Sequence, residues 1–276
     1  MTAASSESAD VLAADAILVK LEGSVATIEL NRPPHNFFDL AMVELLADAL
    51  DRLEADSQCR VVILAAGGKS FCAGADFNSR PDSDRIRNPN KTLPVYQEGI
   101  RLMRFAKPLV AAIHGPCVGG GLGLAMCADF RVAAPEARFS ANFNRIGVHP
   151  GFGLSFTLPR VLGPQHAARL LYTGQRIDAA EAHRIGLVDV LATPGQCREE
   201  AAALAHEIAL SSPWAVQSTR ATLRAGLVEG FRQAVARESE VQAYQMRSPD
   251  FKEGVRAMTE RRVPRFEDRP KEVGRD

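Results

Sequence analysis

Two glycine-bearing segments bring together residue types that can do chemistry: Phe71-Cys72-Ala73-Gly74-Ala75-Asp76 and Ala112-Ile113-His114-Gly115-Pro116-Cys117-Val118-Gly119-Gly120-Gly121. Each follows a short apolar run of strand type, Val61–Ala66 and Leu109–Ile113, and the second opens a helix predicted over Leu122–Ala128. Small residues let a backbone approach a ligand closely. A helix start presents N–H groups without intrahelical partners and carries positive dipole character. Two backbone N–H groups from the ends of separate strands can converge on one carbonyl oxygen and hold the charge that develops there, which makes an oxyanion hole. Either segment alone also reads as a tight turn; the pair is what points to chemistry.

Other signatures fail on spacing. From Gly121-Leu122-Gly123 the third glycine of a dinucleotide fingerprint falls on Met126, and from Gly119 and Gly121 it falls on Leu124. Gly68-Lys69-Ser70 lacks the first glycine of a phosphate loop, because Ile63 stands there. Gly153-Leu154-Ser155-Phe156-Thr157 misses a nucleophile elbow at its last residue, and there is no H-E-x-x-H.

The elements that must position the two segments are legible from periodicity and caps. A hairpin of Ile17–Leu21 and Val25–Leu30 turns at Glu22-Gly23-Ser24. Asp39 caps a helix carrying Leu40, Val43, Ala47, Leu50 and Leu53 at three- and four-residue steps. Asn78–Leu93, rich in Pro, Asn and Asp, reads as a long surface loop. A helix near Tyr96–Phe105, a strand Phe130–Ala134, a short extended piece at Arg138–Phe139, and helices near Leu154–Leu162 and Gln165–Leu171 follow. Asp178 with Glu181 starts a further helix before Leu187–Leu191. Beyond Pro194 only helical patterns remain: Glu199–Leu210, Ala215–Ala225, Phe231–Tyr244, and one capped by Ser248 with Pro249 in its first position. Trp214 is expected to pack these last helices together. The division is a polar tail over 1–14, a strand-helix core over 15–193 and a helical region over 194–276. With about two strands per helix, the core does not suit a strict doubly wound sheet.

Composition narrows the partners. The 276 residues include 33 Lys+Arg and 33 Asp+Glu, so nothing favours a nucleic-acid or membrane-surface role. Apolar stretches reach about six residues, far short of a bilayer span. The opening MTAASSESAD has neither a basic nor an apolar region, so no secretory signal is expected. Five cysteines (Cys59, Cys72, Cys117, Cys127, Cys197) share no C-x-x-C spacing, which fits buried thiols in a reducing cytoplasm and disfavours both disulfides and a metal site.

Taken in order, the motifs resemble the enoyl-CoA hydratase/isomerase (crotonase) superfamily. Asn31-Arg32-Pro33 resembles its early N-R-P, Phe71–Asp76 its F-x-A-G-A-D and Gly115–Gly123 its G-x-x-x-G-G-G. Phe139 through Gly151 resembles the segment that ends in P-G before a helix. Tyr172-Thr173-Gly174 with Ala179–Glu181 and Gly186-Leu187-Val188 is similar to a later T-G…A-x-E-A…G-L-V stretch. Glu253-Gly254, Glu260-Arg261-Arg262, Pro264 and Phe266 resemble its C-terminal E-G…E-K-R-x-P-x-F. The resemblance runs from about Ile17 to Phe266. It implies an α/β fold with a crotonase-like (ClpP/crotonase) spiral of β-β-α turns, a C-terminal helical region used to form homotrimers or hexamers, and a place in acyl-CoA and fatty acid metabolism. It implies a coenzyme A thioester as ligand, with no cofactor beyond that coenzyme A. The oxyanion-hole N–H groups would be those of Ala73 and Gly120. Adenine would lie near His35, Asn36, Ala75, Asp76 and Phe77, and Arg261 from a neighbouring chain would meet a phosphate, as an arginine well can.

The same resemblance exposes departures. Hydration of an unsaturated thioester needs water held between two acid/base groups, and the family's glutamate positions fall on Gly123 and Phe143. A third acid position, used by some isomerases and an aryl-CoA dehalogenase, falls on Gly151. His149 is the nearest titratable candidate in sequence, and its bland reading is a loop histidine satisfied by backbone. Asn142, Asn144 and Arg145 flank Phe143 and could orient a polar acyl group. His114, His166, His183 and His206 read as structural. Two functions follow: an enzyme that stabilises a thioester enolate without the hydratase carboxylates, or a non-catalytic acyl-CoA binder.

Overall fold

Every residue of Val61–Ala66 is buried, and the alternation of side chains explains how. Val62, Leu64 and Ala66 enter one core, while Val61, Ile63 and Ala65 enter another on the opposite face. A strand apolar on both faces must have both faces covered. The computed structural model describes residues 16–75 and 93–267; the expected 1–14 tail and most of the Asn78–Leu93 loop lie outside them, as do Asp76 and Phe77.

Nine strands form two sheets among the described residues. The larger has the order β1 (Ile17–Glu22), β2 (Val25–Leu30), β3 (Val61–Ala66), β4 (Leu109–Ile113), β6 (Phe130–Ala133) and β9 (Val190–Leu191). Only the β1–β2 hairpin is antiparallel; the other neighbours run parallel. The smaller sheet joins β5 (Pro116–Val118), β7 (Arg138–Ser140) and β8 (Arg176–Asp178). β5 and β8, three residues each, were not foreseen, since so short a run carries no periodicity. β5 and β7 pair in parallel, and β7 and β8 pair antiparallel.

Helix α1 (Leu40–Ala55) starts where Asp39 accepts from the Met42 N–H at 2.9 Å. Helix α2 (Pro94–Arg104) packs beside it, and α3 (Gly120–Ala125) begins two residues earlier than its apolar pattern suggests. A 3-10 turn over Asn142–Ile146 leads into α4 (Leu154–Thr173), whose helical path breaks at Gly163, just before Pro164. Helix α5 (Ala179–Arg184) is capped by Asp178 through the Glu181 N–H at 2.8 Å. After β9 the described elements are helices alone: α6 (Cys197–Ala209), α7 (Pro213–Leu223), α8 (Leu227–Gln245) and α9 (Pro249–Thr259). Ala201, Ala205 and Ala209 of α6 cover the second core, their small side chains letting the helix sit close to the sheet. This is a crotonase-like mixed α/β fold with a helical C-terminal region.

One packing expectation fails. Trp214 does not bind the last helices together; its side chain is 83% exposed near the start of α7, beside exposed Leu210. Helix α7 buries no residue fully and is held instead by charge: Arg220 and Arg224 reach Asp129 at 2.8 and 2.7 Å.

Candidate functional site

The two glycine segments meet because β3 and β4 are parallel neighbours and their continuations pair as well. Cys72 bridges Cys117 in parallel, the Cys72 N–H donates to the Pro116 carbonyl at 3.1 Å, and the Val118 N–H donates to the Cys72 carbonyl at 3.0 Å. A side chain at Gly121 would overlap the Cys72 carbonyl, so only glycine permits this approach. The Gly120 N–H, first in α3, has no acceptor among the described residues. The Ala73 N–H donates to the His35 carbonyl at 3.0 Å. A ligand oxygen that used both groups would therefore have to share or displace His35.

These atoms border a cavity of about 1010 Å³ lined by Ala73, Gly74, Ala75, Gly119, Gly120, Phe143 and Gly151, with Arg32, Arg247, Lys252 and Arg256 along it. Among the described lining residues Asp39 is the only carboxylate, and it is taken up by Arg32 at 2.7 Å and by the cap of α1. The surface is otherwise largely apolar: Phe37, Phe38, Val95, Phe152, Met246 and Phe251 contribute. An apolar chamber with a basic margin suits an amphiphilic anion.

The remaining sequence candidates divide. His35 and Asn36 are beside the cavity residues without lining it. Asn36 is buried in the left-handed region at φ 49°, and its amide donates to the Gly67 and Ser70 carbonyls at 2.7 and 2.8 Å. It accepts from the Arg32 N–H at 2.8 Å, so its side chain is spent on joining two loops. His149 does not line the cavity; its Nδ1 lies 2.8 Å from the Pro150 carbonyl and its N–H donates to Gln245 at 2.5 Å. Asn142 lines the cavity, whereas Asn144 and Arg145 donate to the Tyr172 and Thr173 carbonyls. Arg261, at φ 53° just beyond α9, is exposed and outside its own chain's cavity. Gly123 is not at the cavity surface either: a Cβ there would lie 2.8 Å from the ring of Phe152. His114 accepts its bland reading, half-buried with Nε2 3.1 Å from the Gly68 carbonyl.

Several site residues carried no signal in the sequence. Tyr96 of α2 donates its hydroxyl proton to Gln242 of α8 at 2.7 Å, and the Gln242 amide donates to the His149 carbonyl at 2.7 Å. A side chain at Gly151 would overlap the Tyr96 hydroxyl. Phe152, adjoining, is at φ 54°, where a bulky residue persists only if its surroundings hold it. Burial pushes the Cys72 thiol, next to Ala73, up to about 12, which disfavours its thiolate.

Glu238 of α8 secures the backbone after Phe152. It is buried and accepts from the Gly153 and Ser155 N–H groups at 2.7 and 3.0 Å and from the Ser155 hydroxyl at 2.5 Å. Burial pushes its carboxyl from an ordinary 4.5 up to about 7 despite those donors. The folded chain thus binds this proton more tightly than the unfolded chain. The associated stability, about 3 kcal/mol, is full below pH ~4.5 and is lost as pH rises through ~7. Urea unfolding at pH 5 and pH 8 should show that loss in the wild type and not in Glu238→Gln; equal pH dependence in both proteins would refute it.

The C-terminal motif is structural in part. Glu253 accepts from Arg262 and Arg256 and from the Arg265 N–H at 2.8 Å, and the Arg262 guanidinium foremost holds its carboxyl well below the usual carboxylate range. A side chain at Gly254 would lie 2.5 Å from Ile146, so glycine lets α9 press on the 3-10 turn that carries Phe143.

Comparison with known proteins agrees with this architecture. The family model described as enoyl-CoA hydratase/isomerase matches residues 20–269. A Thermus thermophilus relative, provisionally named an enoyl-CoA hydratase, is 39% identical over 90% of this chain and all of its own. A crotonyl-CoA hydratase of Syntrophomonas wolfei is 33% identical over 92% of this chain and 99% of its own. The crystal structure of an enoyl-CoA hydratase/isomerase from Pseudoalteromonas atlantica superimposes with a TM-score of 0.81 at 31% identity, covering 91% of this chain and all of that one. The chain belongs to the enoyl-CoA hydratase/isomerase family.

Proposed function

We propose that this enzyme acts on a coenzyme A thioester by stabilising an enolate at the Gly120 and Ala73 N–H groups, without the paired carboxylates of a hydratase. One observation carries the reading: each position where the family resemblance puts an acid is filled by something else. The Phe152 ring takes the space at Gly123, a phenyl ring stands at Phe143, and Tyr96 with Gln242 takes the space at Gly151. Decarboxylation of a malonyl-type thioester fits such a site. The C–C bond to the carboxylate breaks, carbon dioxide leaves, and its electron pair becomes an enolate whose oxygen accepts from the Gly120 N–H and shares the Ala73 N–H with the His35 carbonyl or displaces it. No base is needed, and a proton from solvent completes the product.

The basic margin supports the coenzyme A end of the reading, since Arg32, Arg247, Lys252 and Arg256 outnumber Asp39 along the cavity. His35, Asn36 and Ala75, with Asp76 and Phe77, would border the adenine. In a homotrimer or hexamer, exposed Leu210, Trp214 and Leu223 would be covered and Arg261 would serve a neighbouring chain's phosphate. Among the described residues no helix is long and apolar enough to cross a membrane, and a cytoplasmic location is part of the proposal. The test is carbon dioxide release from malonyl-CoA and methylmalonyl-CoA. Turnover supports the enzyme reading; tight coenzyme A binding with no turnover of any thioester favours the non-catalytic binder.

Arg261→Ala should weaken coenzyme A binding by about 1.5–3 kcal/mol, the range for hydrogen bonds to charged groups. An unchanged dissociation constant in calorimetry would remove Arg261 from the site.

A further inference from the structure

We propose that Phe152 sets the acyl-length limit of the site, closing the pocket so that only short acyl groups are accommodated; this rests on the coenzyme A thioester reading. Phe152 lines the cavity, yet is only 1% exposed, so nearly all of its ring is packed into the wall. Its ring packs edge-to-face on Phe38 at 4.9 Å, Tyr96 at 6.1 Å and Phe231 at 6.2 Å. It also fills the space beside two glycines: a Cβ at Gly99 of α2 would lie 2.9 Å from its ring, and one at Gly123 of α3 would lie 2.8 Å from it. Phe38 in turn covers Gly120, where a Cβ would be 2.9 Å from the Phe38 ring. Phe38 beside Gly120, and Phe152 between Gly99 of α2 and Gly123 of α3, thus form one aromatic wall.

The wall is braced from several sides. Phe152 is held at φ 54° on a backbone fixed by Glu238 through the Gly153 and Ser155 N–H groups, and its ring is enclosed by the three aromatic partners and two glycines just named. Removing the ring would leave an apolar void between α2 and α3, and voids of that character stay dry and accept apolar groups.

The experiment titrates acetyl-, butyryl-, hexanoyl- and octanoyl-CoA into the wild type, Phe152→Ala and Phe152→Leu by calorimetry, each variant first shown to melt cooperatively. The readout is the octanoyl-to-butyryl affinity ratio within each protein, which cancels any general weakening. In a pocket that keeps burying chain, affinity rises about four-fold per methylene. The wild-type ratio should therefore stay near one, and it should rise by about ten-fold or more in Phe152→Ala, with Phe152→Leu between. Phe152→Leu keeps most of the core volume and carries the test if the alanine variant does not fold. A wild-type ratio already above about ten, or a ratio that moves in neither folded variant, overturns the role of Phe152 and leaves the thioester reading standing. Absence of any coenzyme A binding by the wild type overturns both.

Discussion

Crotonyl-CoA hydration by the unmodified protein should run at or near the background rate. Hydration adds hydroxide to the β-carbon and a proton to the α-carbon, and both transfers need positioned acid/base groups. Each such group contributes roughly 10²–10⁴ in rate, so a site without either would lose most of the chemical step. The one carboxylate among the described cavity residues, Asp39, is committed to Arg32 and to the cap of α1. The backbone donors would still polarise the thioester, an effect of a few kcal/mol, but polarisation alone activates no water. The assay is spectrophotometric, with crotonyl-CoA and longer enoyl-CoA substrates. Robust turnover would mean that another group moves protons at this site. Tyr96, linked to Gln242 at 2.7 Å, would then be tested first, and His149, whose Nδ1 is 2.8 Å from the Pro150 carbonyl, second.

Placing a carboxylate at Gly123 should destabilise the fold. A Cβ at Gly123 would lie 2.8 Å from the Phe152 ring, 2.9 Å from its Cβ and 3.1 Å from its carbonyl. Overpacking of this kind costs about 1–3 kcal/mol, and a carboxyl group buried without a partner adds a comparable penalty. Gly123→Glu should therefore lower stability by about 2–6 kcal/mol, which in a chain of this size lowers the melting temperature by roughly 10 °C. Phe152→Ala alone should cost about 3–5 kcal/mol by leaving a void. Combined, the two should cost less than their sum, because the glutamate would enter the space the ring vacates. Strict additivity in urea denaturation would mean that the two positions do not compete for one volume.

Much of the local structure was legible in the sequence because its causes are local. Asp39, Asp178 and Ser248 cap helices through N–H groups three residues away, and each does so as expected. Val61–Ala66 reads as a strand buried on both faces from composition alone, and the loss of strand patterns after Pro194 matches a helical C-terminal region. The order of the glycine motifs carried the family.

The interior of the site was decided elsewhere. Tyr96 meets Gln242 across 146 residues of sequence, and Glu238 holds the Gly153 N–H across 85. Nothing in a short window encodes such meetings, because they depend on how α8 lies over α2 and α4. Gly123 is a glycine in the sequence and nothing more; only packing shows that Phe152 occupies its side-chain space. The Ala73 N–H reads from sequence as a donor waiting for a ligand, whereas the folded loop brings the His35 carbonyl to 3.0 Å from it. Trp214 reads as core by its apolar area, yet it is exposed on α7, a helix that the Arg220 and Arg224 contacts to Asp129 tie down. Residue types and short spacings determined the elements and the family, since propensities, caps and turns act within a few residues. Which volumes are filled, and by whom, was left to the tertiary structure, because close packing is a property of all the neighbours at once.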